Sequence, residues 1–435
     1  MKTYCYSFQK WISLIATGFV LFLLSSCANQ TRIHKTSLHK HLNSSRFQSQ
    51  MTGLLVYNPD RKDTLVQHHA NQYFIPASNT KIFTLYTALR ILPEKMPLVK
   101  TYQISTDSLL IIPMGDPTPF HPYFKDSSIL KIMAPYEHIG FETNRLEDQP
   151  YGPGWAWEDF DSYYAPERSA LPLYGNVLKV QHLDSNPFVN PSFFESNIYP
   201  KDSSQSFSRA AHKNVFYINK EDQENEIPFK TSDSLSIALL RALSGKNVFA
   251  YSKPQKLEPS INFGIYRDSV LKVMMKESDN FLAEQLLINA SAYLTDTLSI
   301  KPAQKFVLDG PLKDLQQYPR WVDGSGLSRY NLMSPLSVVQ VLEKLYLSEG
   351  LDRLKLFFPW GGENGTLKNW FSGQSEPYIF AKTGSLGNTY CLSGYLITKK
   401  GKTLIFSYMN NHFTRPSTEV KKDMQEILEA IRDQH

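Results

Sequence analysis

The chain has 435 residues, enough for two domains or for one domain with a large insertion. Its 42% apolar content and lack of low-complexity runs call for a globular protein with a sizeable core, and a net charge of only +5, not gathered into a basic block, argues against nucleic acid as a partner. The three cysteines, Cys5, Cys27 and Cys391, leave no intramolecular disulfide in a chain processed near Cys27.

Residues 1–27 read as an export signal. Lys2 and Lys10 give a positive start, and Trp11 to Leu24 is an apolar run too short to span a bilayer comfortably. The run ends in Leu24-Ser25-Ser26-Cys27, which resembles a bacterial lipoprotein cleavage box. That resemblance implies a mature chain starting at Cys27, lipidated on sulfur. The alternative is an ordinary secretory signal cut nearby. Ala28, where an aspartate is absent, favours the outer membrane in a cell that has one. Residues 28–49 are polar and basic, a tether between membrane and domain.

Thr52–Tyr57, the turn Asn58-Pro59-Asp60 and Thr64–Gln67 predict strand, turn and strand. Pro76-Ala77-Ser78-Asn79-Thr80-Lys81 follows, opening a run through Leu89 that is apolar nearly all round and so reads as a buried helix. Ser78 and Lys81 are three apart on its first turn, hence on one face. A serine hydroxyl is a weak nucleophile until a base takes its proton, and a lysine whose pKa is depressed by burial can be that base.

From 101 to 249 prolines and aromatics are frequent and helical periodicity is scarce, as expected for an insertion of short strands and loops beside a cleft. Glu158, Asp159 and Asp161 stand too close in one loop to form the opposed carboxylates of a glycosidase. Trp155 and Trp157 are read as packing residues rather than a sugar platform. Helices are predicted over Ser232–Leu243, Ile265–Met275 and from Phe281, with Ser278 and Asn280 in the polar connection between the last two. Asp323-Gly324-Ser325-Gly326-Leu327-Ser328 is a glycine-rich turn, and Ser334-Pro335 starts a further helix. The end is β-rich: Tyr378–Ala381 runs into Lys382-Thr383-Gly384-Ser385, then Tyr390–Thr398, a turn at 399–402, and Thr403–Met409, before a last helix over Ser417–Ile431. Cys391 is a small core residue in this pattern.

Three sites therefore stand in order: Ser78-x-x-Lys81, Ser278-x-Asn280 and Lys382-Thr383-Gly384. Each is weak alone. In this order, on a helix start, an interhelical loop and a strand, they resemble the motif set of the penicillin-recognising serine enzymes. The gap of about 200 residues between the first two, with Gly115-Asp116-Pro117, Gly154-Trp155-x-Trp157, Asp323–Arg329 and Asn364-Gly365-Thr366-Leu367, resembles the class C low-molecular-mass penicillin-binding proteins, from about Ser49 to the C-terminus. That family contains D-alanyl-D-alanine carboxypeptidases that also cut peptide cross-bridges.

The resemblance implies an α/β (α+β) penicillin-binding domain, an antiparallel sheet flanked by helices, from residues 50–100 and 250–435, with 101–249 as a mostly-β insertion. It implies peptidoglycan stem peptides as substrate, β-lactams as acylating inhibitors, a location on the periplasmic side of the envelope, and no metal or organic cofactor. Ser78 would be the nucleophile, Lys81 its base and Ser278 the proton donor to the leaving amine. Asn280 would bind the substrate amide. Lys382 and Thr383 would hold the terminal carboxylate, Gly384 would let substrate lie against the strand, and the backbone N–H groups of Ser78 and Ser385 would form the oxyanion hole. Ser385 stands where the family usually has threonine. Asp323 and Ser325 are expected to be structural. A serine β-lactamase and an inactive cell-wall binding protein are the competing readings. No H-E-x-x-H is present, which argues against metal catalysis.

Overall fold

A computed structural model describes residue 42 and residues 44–183, 186–202, 206–219, 222–252, 259–373 and 376–435. The export signal, Cys27 and the tether up to residue 41, with residue 43, lie outside the described residues. Among those described, no helix is long and apolar enough to cross a membrane.

The central sheet has five antiparallel strands: β1 (Met51–Asn58), β2 (Asp63–His68), β3 (Ile379–Leu386), β4 (Thr389–Ile397) and β5 (Thr403–Asn411), in the order β3-β4-β5-β1-β2. Chain order and spatial order differ because β1 pairs with β5, Val56 opposite Phe406, across most of the sequence. Strands β4 and β5 are buried along almost their whole length. Their side chains alternate between two cores, as the two-residue period of a strand requires. Leu54, Val56, Leu404 and Phe406 enter one core, where Val420, Met424, Ile427 and Leu428 of the helix Ser417–Gln434 meet them. Leu55, Ile405 and Met409 enter the other.

The helices of that second core position the site. They are α1 (Lys81–Ile91), α2 (Arg267–Lys276), α3 (Asn280–Thr295) and α4 (Pro335–Glu349). Helix α3 starts where the Asp279 carboxylate accepts from Leu282 N at 2.8 Å, and α4 where Ser334 caps Ser337 N at 3.0 Å ahead of Pro335. Helix α2 begins at Arg267 because Ser260–Tyr266 before it is a strand, not the helix start predicted at Ile265.

A separate core forms around a mixed five-stranded sheet, in the order Asn247–Tyr251, His138–Glu142, Ser108–Pro113, Lys95–Gln103, Ser260–Tyr266, which runs past both expected bounds of the 101–249 insertion: its first and fourth strands straddle them and Ser260–Tyr266 lies beyond. The first three are mutually parallel, and each of the last two pairs antiparallel with the strand before it in that order. A three-stranded antiparallel sheet and the helix Asp233–Ser244 complete it. Buried polar side chains of α3 tie this region to the catalytic half. Gln285 Nε2 donates to the carbonyls of Gly115 and Ser169, each at 3.0 Å, and Asn289 Nδ2 to those of Pro97 and Met114, each at 2.8 Å.

Candidate active site

Ser78 sits on a short 3-10 turn, Ala77–Thr80, and Lys81 is the first residue of α1. This differs from the single α-helical turn predicted from the spacing. Ala77 is held at φ +48, a conformation that non-glycine residues adopt only under constraint. The constraint is visible on both sides. Asn79 Nδ2 donates to the Lys382 carbonyl at 2.9 Å, pinning the turn to β3, and a Cβ on Gly326 would stand 1.9 Å from the Ala77 carbonyl oxygen. The chain at Asp323–Ser328 therefore lies directly against the turn.

Lys81 is fully buried, and its Nζ has three neighbours: Ser78 Oγ at 3.0 Å, Asn280 Oδ1 at 2.6 Å and the Ser325 carbonyl oxygen at 2.7 Å. Burial lowers its pKa from 10.5 to about 8, against the opposing pull of the Asp279, Asp323 and Glu284 carboxylates. A neutral amine has two N–H groups and one lone pair. The two carbonyl-type oxygens can accept only from the N–H groups, so the lone pair is left for the hydroxyl proton of Ser78. In its neutral form Lys81 is thus placed where it can accept the Ser78 proton.

Ser278 lies between α2 and α3 with φ +60. Its Oγ accepts from Lys382 Nζ at 2.8 Å, and the same ammonium donates to the Thr383 carbonyl, also at 2.8 Å. Burial, then the nearby charge of Lys81, pushes the pKa of Lys382 well below its usual value. A bound carboxylate would favour its charged form. Thr383 Oγ1 donates to Thr366 Oγ1 at 2.7 Å. Both polar ends of the Asn280 carboxamide are engaged, Oδ1 with Lys81 and Nδ2 with the Tyr164 carbonyl at 2.9 Å. In the free site it orients the lysine. The second N–H of the carboxamide is left for a substrate carbonyl.

Gly384 has a different reason from the one expected. A Cβ there would stand 2.5 Å from the Pro76 carbonyl oxygen and 3.0 Å from Ser78 N, so the space belongs to the nucleophile's own turn. Ser385 beyond it is exposed and lines the cleft with Ser78, Ser278, Asn280 and Thr383. The cleft encloses about 610 Å³. Residues of the inserted region, among them Tyr123, Asp159 and Tyr164, form its opposite wall. All eight site residues predicted within the described chain are thus brought together, and Cys27 lies outside it.

Asp323 organises the glycine-rich turn. Its Oδ1 accepts from Gly326 N at 2.9 Å and Asn331 Nδ2 at 2.7 Å, and its Oδ2 from Trp155 Nε1 at 2.9 Å and Ser328 N at 2.6 Å. Trp155 is thereby a packing residue. Trp157, read the same way from sequence, is 74% exposed, because the loop turns over between the two. Sequence reasoning missed Glu284, Arg168 and Tyr164. The signal for Glu284 was a charged residue in a helix otherwise apolar around it. Among the described residues no group of three or more His, Cys, Asp or Glu is placed to hold a metal ion.

With this geometry in hand, comparison with known proteins is informative. The sequence profile of the D-Ala-D-Ala carboxypeptidase 3 (S13) family matches residues 34–206 and 268–434. The chain is 24% identical over 491 aligned positions to the D-alanyl-D-alanine carboxypeptidase DacB of Haemophilus influenzae, covering 98% of each. The crystal structure of penicillin binding protein 4 (dacB) from the same organism shares the fold, with a TM-score of 0.69 and 21% identity over 91% of this chain and 97% of that one. The same protein complexed with a β-lactam superposes with a TM-score of 0.63 and 19% identity, over 91% and 98%. The chain belongs to the D-Ala-D-Ala carboxypeptidase 3 (S13) family.

Proposed function

We propose that the chain is a serine D-alanyl-D-alanine carboxypeptidase acting on peptidoglycan stem peptides, and that Ser78 carries the acyl group. The observation that carries this reading is Lys81 Nζ, 3.0 Å from Ser78 Oγ with two carbonyl oxygens taking its other valences. Lys81 takes the Ser78 proton as Oγ attacks the carbonyl of the penultimate D-alanine. The N–H groups of Ser78 and Ser385 receive the developing oxyanion. The C–N bond breaks as Ser278 gives its proton to the leaving amine and is reprotonated with the proton that Lys81 took, which returns Lys81 to the neutral amine, and terminal D-alanine departs with its carboxylate held by Lys382 and Thr383. Water then hydrolyses the Ser78 ester. A β-lactam presents the same carbonyl and carboxylate, so it acylates Ser78, and its ring, still attached, slows the hydrolysis. Cutting of peptide cross-bridges uses the same steps with a longer leaving group.

The remaining assignments belong to this reading. Residues 1–27 are the export signal, Cys27 the lipid anchor and 28–49 the tether, which place the catalytic part, 50–100 and 250–435 with the insertion 101–249, on the periplasmic side of the envelope. Intact mass of the Ala28–His435 fragment with benzylpenicillin tests the chemistry. A persistent adduct that Ser78→Ala abolishes, with D-alanine released from a pentapeptide, is the expected result. An untouched drug and no adduct overturns it, and drug destroyed without an adduct marks a β-lactamase. Palmitate labelling that Cys27→Ser removes tests the anchor.

A further inference from the structure

Resting on the serine–lysine reading, we propose that the buried ion pair Arg168–Glu284 is a positioning device for Lys81, through which the inserted region sets the strength of the catalytic base. Arg168 lies in the inserted region and Glu284 on α3, and their side chains are 3% and 1% exposed. Arg168 grips one carboxylate oxygen with two donors, Nε at 3.1 Å and Nη2 at 2.6 Å, both to Oε2. The other oxygen, Oε1, accepts from the backbone N–H of Ser325 at 2.7 Å. The carbonyl of that same Ser325 accepts from Lys81 Nζ at 2.7 Å. Glu284 therefore anchors the residue that fixes one of the two N–H directions of Lys81, and with it the direction of the lone pair toward Ser78. The guanidinium is itself held, its Cζ 5.3 Å from the centre of the Trp155 ring, whose N–H bonds to Asp323.

The charge acts along the same path. Lys81 is faced by Asp279 and Glu284 from α3, by Asp323 from the glycine-rich turn and by Lys382 from β3. Glu284 also faces Asp323, and Arg168 faces Asp148 and Asp323 besides its partner. Each carboxylate favours the ammonium form of Lys81, and burial opposes them. A buried pair is weak evidence of stability, because replacing both partners by neutral groups of like volume is often tolerated. Its value here is that it fixes how much negative charge the lysine feels.

The test is the pH profile of acylation by benzylpenicillin, read by intact mass between pH 5.5 and 10, beside the melting temperature, for wild type and Glu284→Gln. The glutamine keeps an oxygen for Ser325 N but removes the charge. The midpoint is expected to fall, by up to about one pH unit, since the lost carboxylate is one of three that favour the charged lysine. If Glu284→Gln does not fold, Arg168→Met/Glu284→Gln, which leaves no buried charge unpaired, takes its place; loss of the cation opposes loss of the anion, and because Glu284 rather than Arg168 reaches Ser325 directly, a smaller acid shift is expected. A folded variant that acylates with the wild-type midpoint overturns the proposal, whatever its melting temperature. Failure of wild type to acylate at all would instead overturn the reading on which this one rests.

Discussion

Lys382 donates to Ser278 at 2.8 Å, so two of the three motifs are joined directly before any substrate binds. The third is joined through Asn280, which follows Ser278 by two residues and accepts from Lys81 at 2.6 Å. The loop between α2 and α3 is thus the bridge between the base and the carboxylate end of the site. Its positive-φ serine is the strained point of that bridge.

If Ser278 passes the proton to the leaving amine, Ser278→Ala leaves that step to water. Turnover of a pentapeptide is then expected to fall about 100-fold or more, with little change in KM, since general acid catalysis is worth that much. Kinetics of D-alanine release check this, and unchanged turnover removes Ser278 from the mechanism.

The pKa of Lys81 gives acylation a sign and a place on the pH scale. Burial lowers it to about 8, so at pH 7 most of the lysine is protonated and has no lone pair to accept from Ser78. The second-order rate of acylation should rise with pH by about tenfold per unit below the midpoint and level off above it. A stopped-flow or mass time course with benzylpenicillin measures this. A rate flat from pH 6 to 9 excludes the free amine as base.

Gly384→Ala places a methyl against backbone rather than against substrate. With Pro76 O at 2.5 Å and Ser78 N at 3.0 Å from the added carbon, the nucleophile's turn must shift from β3. The expected cost is roughly 1–3 kcal/mol of stability together with slower acylation. Denaturant unfolding and penicillin labelling together check it; normal stability with only substrate binding impaired would restore the substrate-clearance explanation.

Asp323→Asn keeps the size of the side chain and removes acceptor capacity. One end of the new amide must face N–H donors, either Trp155 Nε1 and Ser328 N or Gly326 N and Asn331 Nδ2. Leaving buried donors unpaired costs about 1–3 kcal/mol. A lowered melting temperature is expected, along with slower acylation because the Ser325 carbonyl on this turn holds Lys81.

Thr366→Val removes the oxygen to which Thr383 donates at 2.7 Å. A bound carboxylate must take that single proton from Thr366, so freeing it from a bond of about 1 kcal/mol should lower KM for a pentapeptide by up to about fivefold and leave kcat nearly unchanged. An equal change in kcat would place Thr383 in the transition state rather than in carboxylate binding.

Local chemistry was enough to read some features from the chain alone. The strand over Thr52–Tyr57 and the helix start at Ser334-Pro335 were legible because a strand's period and a helix cap act within a few residues of chain. Ser78-x-x-Lys81 was readable because both residues lie on one turn. What only the tertiary structure decided lies between residues far apart in sequence. Gly384 is tight because a strand from the end of the chain rests on a turn near its start. Trp155 is half-buried with its N–H on Asp323, while Trp157, two residues on, is exposed. The lone pair of Lys81 has a direction only because Asn280 and Ser325, 199 and 244 residues away, take its hydrogens. Sequence spacing carries no information about such closures, because a hydrogen bond depends on where folding brings its two atoms and not on the length of chain between them.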